Sequence, residues 1–124
     1  MKRNHHGFTI VELAIVVAVI AILATISVVS YGAIRNRARD TAIVTEMTDI
    51  SQKLVTYSLA NSNRYPTTLS GIDVTVPDDM TIDYSTTTDK KGYYLVATSG
   101  TQSFSLSSQD VAPNKCDSVC PPMN

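Results

Sequence analysis

The sequence predicts an α+β fold: one long amino-terminal α-helix, suited to a membrane in its first half and amphipathic in its second, packed on a small antiparallel β-sheet head. Three observations carry this. Phe8 to Val29 is an apolar run of 22 residues whose only polar members are Thr9, Glu12, Thr25 and Ser27. From Ile34 onward, apolar residues recur at spacings of 3 to 5 with charges between them, which is a helical stripe. After Pro66 the pattern changes to short alternating segments separated by turn residues, which is the mark of strands.

In chain order, residues 1–7 form a short basic head, with Lys2, Arg3, His5 and His6 ahead of Gly7. The two neighbouring histidines have no further ligand nearby and read as solvated side chains rather than a metal site. Residues 8–30 form the apolar half of the helix. At about 1.5 Å per residue, the run covers roughly 33 Å and matches a bilayer core of about 30 Å. It holds no Gly or Pro. Glu12 is its odd member, one turn inside the apolar end. A carboxylate in lipid costs a few kcal/mol unless it finds a partner, so it marks function. A cleaved secretory signal fits poorly, because Ala24-Thr25-Ile26 and Ser27-Val28-Val29 are poor cleavage sites. A plain anchor explains the span and leaves Glu12 unexplained.

Tyr31 suits a membrane–water interface. Residues 31–60 then form the amphipathic half. Ile34, Ala38, Ile43, Met47, Ile50, Leu54 and Tyr57 mark the apolar stripe, and Arg35, Asp40, Glu46, Asp49 and Lys53 stand between them. Pro66 disfavours helix for its predecessor, so the helix predicted from Thr9 ends near Ala60, with a length of roughly 78 Å. Residues 61–124 form the head. Ile72–Val76 reads as a short edge strand or an extended loop. Met80–Ser85, Gly92–Thr98 and Gln102–Ser107 read as three strands in an antiparallel meander, with turns at Thr88–Gly92 and Thr98–Thr101. Tyr84, Tyr94, Val96, Phe104 and Leu106 are predicted to face inward, against Met47, Ile50 and Leu54.

The stretch Gly7-Phe8-Thr9-Ile10-Val11-Glu12 resembles the processing site of type IV pilins and pseudopilins. The resemblance covers the basic head and about the next 24 residues. It implies a pilin-like fold, cleavage between Gly7 and Phe8 by a prepilin peptidase/methyltransferase, and N-methylation of Phe8. It also implies that Glu12 is the acid used in assembly. Cleavage would leave an α-amine on Phe8 with a reference pKa of about 7.7–8.0, hence cationic at neutral pH. Phe8 and Glu12, four apart, would share a helix face, or the amine would meet the Glu12 of a neighbouring subunit. Many pilins have a Pro just before the equivalent of Tyr31 and a Gly earlier in the span; this chain has Val29 and Ala21 there. Both departures favour helix and argue against local unwinding. Tyr65-Pro66-Thr67-Thr68-Leu69 is similar to a loop common after the long helix in pseudopilins and many pilins.

The resemblance places the amino end in the cytoplasm, as Lys2 and Arg3 favour and Arg35, Arg37 and Arg39 oppose. The head then lies outside the reducing cytosol, and Cys116 and Cys120 are expected to form a disulfide pinning a tail that holds Pro113, Pro121 and Pro122. Pilins often close a longer loop this way. Some pseudopilin heads hold calcium; here Asp78, Asp79, Asp83 and Asp89 lack EF-hand spacing and read as a solvated acidic loop.

Composition excludes other classes. Loss of Lys2 and Arg3 would leave 8 basic against 11 acidic side chains, which is no nucleic-acid-binding balance. Five scattered glycines form no phosphate loop, and no nucleophile–His–acid set occurs outside the basic head. No enzyme, cofactor or metal is expected. The sequence leaves three readings. One is a subunit of a type IV pilus-like filament, stored in the membrane and then extracellular. The second is a pseudopilin of a secretion or DNA-uptake machine. The third is a membrane-anchored binding module that never polymerises. The partners implied by the first two are the peptidase, the membrane, copies of itself or other pilins, and an assembly platform with its ATPase.

Overall fold

A computed structural model describes residues 2, 6–117 and 119–121. The basic-head residues Arg3 and His5 and the tail residue Pro122 lie outside the described residues. Helix α1 spans Ile10–Ala60, a 3-10 turn spans Leu69–Gly71, and four strands follow: β1 Thr81–Thr86, β2 Tyr93–Ser99, β3 Gln102–Ser107 and β4 Asn114–Cys116. The chain divides within α1 into two compact units, Met1–Arg35 and Asn36–Asn124.

In the first unit, α1 is apolar on every side, and its large side chains are exposed from Ile10 to Val29. Two polar residues in this stretch are satisfied locally. The Thr25 hydroxyl donates to the Ile22 carbonyl at 2.7 Å, and the Ser27 hydroxyl to the Leu23 carbonyl at 2.9 Å. Bonding back onto the helix hides these hydroxyls from an apolar surrounding, so they interrupt the run less than their polarity suggests.

In the second unit, α1 buries Ile43, Met47, Ile50 and Leu54 almost completely. These recur every three or four residues and so form one stripe. The predicted stripe began at Ile34; in the structure Ile34 and Ala38 are exposed and burial begins at Ile43. The stripe meets Met80, Tyr93, Leu95, Ala97, Phe104 and Leu106, which complete the core.

The sheet is antiparallel throughout, in the order β1-β2-β3-β4. The three predicted strands are present within one residue of the expected bounds, and Ile72–Val76 is an extended loop. β4 is an addition: Ser103, Phe104 and Ser105 pair with Cys116, Lys115 and Asn114. The expectation that Tyr94 and Val96 face inward is overturned. Tyr93, Leu95, Ala97 and Ser99 are the buried row of β2. Side chains alternate across a strand, so Tyr94 and Val96 belong to the opposite face. The reason lies in the hairpin register. Gly100 and Thr101 form a two-residue loop between the paired Ser99 and Gln102, and Gly100 has φ +61°, the positive angle such loops need at that position. This sets Ala97 opposite Phe104 and Leu95 opposite Leu106, and cross-strand partners share a face. Phe104 and Leu106 are inward as expected.

Tyr93 makes inward burial possible by placing its hydroxyl 2.8 Å from the Ser51 hydroxyl, while its ring meets Tyr65 edge-on at 4.9 Å. Tyr84 is half-buried as expected at the core's edge, and its hydroxyl donates to the Pro66 carbonyl at 2.8 Å. Burial pushes both phenols above their ordinary pKa, and for Tyr84 the neighbouring Tyr93, Tyr65 and Tyr57 add to the effect.

Candidate functional site

Gly7 and Phe8 precede α1 as irregular chain, and Phe8 is 91% exposed. The helix is started by Thr9 and Glu12. The Glu12 N–H donates to the Thr9 hydroxyl oxygen at 3.2 Å. In return Glu12 Oε2 accepts from the Thr9 N–H at 2.8 Å and from the Thr9 hydroxyl at 3.1 Å. This reciprocal pair is a capping box, satisfying donors that the first turn leaves free. The carboxylate also sits at the positive end of the helix dipole.

This geometry corrects one expectation. Phe8 and Glu12 do not share a helix face within the chain, because the helix begins two residues after Phe8 and the Glu12 side chain turns back to Thr9. The sequence did hold the signal, since a Thr followed three residues later by a Glu ahead of an apolar run is a known start pattern. Both bonds that Thr9 gives the carboxylate fall on Oε2, and among the described residues Oε1 has no donor.

Downstream, α1 is by length and composition able to cross a membrane, and none of its apolar window is buried within the chain. The arrangement therefore presents a small exposed carboxylate at the start of a helix whose apolar surface has no partner in its own unit.

The second sequence-marked feature is the tail. Cys116 and Cys120 are joined by a disulfide, with Cys116 closing β4. Lys115, next to it, bonds Asp40 of α1 at 2.7 Å and stands 5.8 Å from the Phe104 ring centre. The Tyr94 hydroxyl, turned to the far face of the sheet, donates to the Pro121 carbonyl. The acidic residues do not gather. Asp78 and Asp79 lie in the turn before β1, Asp83 lies in β1 and Asp89 in the β1–β2 turn. Among the described residues no group of three or more His, Cys, Asp and Glu side chains is placed to hold a metal ion.

The model of the prokaryotic N-terminal methylation motif matches residues 2–28, the stretch that holds Gly7, Phe8, Thr9 and Glu12. Part of the chain is similar both to a type IV pilus component and to type II secretion core proteins. It is 39% identical over 61 residues to the type IV wide pilus major component PilA4 of Thermus thermophilus, covering 49% of this chain and 47% of that one. It is 35% identical over 75 residues to the type II secretion system core protein G of Aeromonas hydrophila, covering 60% of this chain and 52% of that one. The core protein G of Dickeya chrysanthemi is 32% identical over 76 residues, covering 61% and 49%. The chain thus spans about half the length of the curated relatives it matches. No solved structure matches.

Proposed function

We propose that this chain is a structural subunit of a type IV pilus-like surface filament rather than an enzyme. It is held in the membrane with its amino end cytoplasmic. A prepilin peptidase cuts between Gly7 and Phe8 and methylates Phe8, and subunits then polymerise through the apolar half of α1 on an assembly platform driven by an ATPase. The observation that carries this reading is the apolar surface of α1, exposed on every side through the stretch that the methylation motif matches. The burial stripe of the second unit closes its own core; the first unit has none and needs lipid or sister helices.

Glu12 supports the same reading. The new amine on Phe8 would be cationic at neutral pH and able to pair with a carboxylate in a water-poor fibre. Glu12 offers Oε1 for that bond without giving up its box with Thr9. Two variants separate charge from helix start. Glu12→Gln keeps an acceptor for the Thr9 N–H and removes the charge, while Glu12→Ala removes both. Both should insert into the membrane normally and give little sheared filament. A normal filament yield from Glu12→Gln would refute the charge-pairing role. Mass spectrometry of the recovered protein should show a chain beginning at a methylated Phe8; one beginning at Met1 would overturn the reading.

A pseudopilin of a type II secretion machine is the second reading, favoured by the likeness to several core G proteins. Sheared surface material distinguishes the two. Long filaments built from this chain support the pilus, and their absence together with a secretion defect on deletion supports the pseudopilus.

A further inference from the structure

We propose that the pocket where the end of α1 meets the β1–β2 turn binds a phosphate-type oxyanion. This stands apart from the filament reading and would hold for either kind of subunit. The pocket is open, about 320 Å³, and lies wholly within the second unit. Arg64, just past α1, and Lys90, from the turn between β1 and β2, both line it. None of its lining residues is Asp or Glu, in a chain whose acids outnumber its bases. Among the described residues the only salt bridge joins Lys115 to Asp40, so neither Arg64 nor Lys90 is neutralised by a carboxylate.

The nearby negative groups are already engaged. Asp89, adjacent to Lys90, accepts from the Thr87 hydroxyl at 2.6 Å and the Lys91 N–H at 3.1 Å, which turns its carboxylate into its own loop. The carbonyls at the end of α1 would repel an anion. Yet the Ser58 carbonyl accepts from the N–H groups of Asn61 and Asn63, and the Tyr57 carbonyl accepts from the Asn61 side chain at 2.8 Å. The lining thus joins two cationic residues, Arg64 and Lys90, to the hydroxyl-bearing Tyr57, Tyr65, Thr67 and Thr68 and the amide of Asn61, with the Thr68 hydroxyl also 2.7 Å from that of Ser70. A planar guanidinium fork and an ammonium on the lining of one pocket suit a compact oxyanion of more than one charge.

The two segments are also held in an unusual backbone state. Ser62, Asn63 and Lys90 have φ of 59°, 58° and 58°, and among the described residues they are the non-glycine positions with positive φ. All three belong to the loops that carry Arg64 and Lys90. The Tyr65 N–H donates to the Lys90 carbonyl at 2.8 Å, which ties together the two loops that carry Arg64 and Lys90. Residues held in this region cost free energy and persist where the surroundings over-determine them, a state common at ligand clamps.

The test is titration of the full chain, solubilised in detergent, with inorganic phosphate and separately with glycerol 3-phosphate, followed by amide NMR shifts. Saturable shifts at Arg64, Thr67, Thr68 and Lys90 are expected. Tighter binding of the ester would point to a phosphate carried on a polyol chain, and tighter binding of the ion to free phosphate. Arg64→Gln should weaken binding roughly ten- to a hundred-fold, the worth of a charge-assisted bond. Lys90→Asn should do the same, since Asn tolerates positive φ and keeps the turn. Lys91→Gln removes an equal charge one residue away from the pocket and should change affinity less than about two-fold. Absence of saturable shifts, or equal weakening by Lys91→Gln, would overturn the proposal. A spectrum with native dispersion for each variant shows that the fold has survived.

Discussion

Both stretches of α1 carry large apolar side chains, and these meet opposite fates. Between Ile10 and Val29, Ile, Val and Leu occur on every side and stay exposed, Ile20 by 59%. Further on, Ile43, Met47, Ile50 and Leu54 keep to one stripe and are buried to within 1% of completely, with Val44 partly buried beside them. Composition and periodicity both distinguish them: the first is apolar on every side, the second on one stripe between polar residues. A stripe can be satisfied by one sheet. A fully apolar circumference cannot, and must be covered by lipid or by other helices. The first stretch thus carries the chain's relations with its surroundings, and the second carries its own stability. Substitutions should separate the two.

The largest effect is expected in the core. Leu95→Ala opens a cavity beneath the α1 stripe and should cost about 2–5 kcal/mol of head stability, read by chemical denaturation. Membrane partition should be unchanged, and a joint loss would mean that the two stretches are not separable. The converse test is Ile20→Arg. It should cost about 3 kcal/mol of insertion and shift the chain out of the membrane fraction, while the denaturation midpoint of the head stays put. Removing the disulfide with Cys116→Ala and Cys120→Ala should cost about 2 kcal/mol, the loop-closure value for so short a ring. That loss belongs to the head alone, so filament or membrane yield should fall only as far as head stability does.

The smallest effect is a pH dependence confined to the β1–β2 turn. The Thr87 hydroxyl and then the Lys91 N–H bond the ionised carboxyl of Asp89 and hold its pKa below the usual carboxylate value. A group depressed in the folded state binds its proton more readily when unfolded. Its stabilisation is therefore present above the ordinary carboxylate pKa, about 3.9, and is lost as pH falls through and below it. Denaturation midpoints measured down to pH 2.5 should fall less steeply for Asp89→Asn than for the parent; identical slopes would remove Asp89 from the account.

The long helix was legible because its signals are strong and local. The apolar run, the later stripe and the Asn61–Pro66 breaker fix its bounds to within a residue. β3 was equally plain. The face of β2 was not, because Tyr93 and Tyr94 are adjacent and identical, and only the two-residue loop at Gly100 decides which one is inward. β4 was missed because it is three residues long and follows Pro113; its place depends on Ser103–Ser105 and on Lys115 reaching Asp40, partners distant in sequence. At the amino end, Gly7, Phe8 and Glu12 stood out from the motif. The box between Thr9 and Glu12 was equally readable, and it is the box that gives Glu12 its first partner.

That box has a further consequence for any version of this chain trimmed after Gly7. Thr9 and Glu12 both lie downstream of the scissile bond, and Thr9 would keep its amide hydrogen as the second residue of the shortened chain. Proteolysis would therefore leave the instruction that begins the rod intact. The membrane-stored precursor and its matured form would share one backbone, differing at the tip by a charge and not by a refolding event.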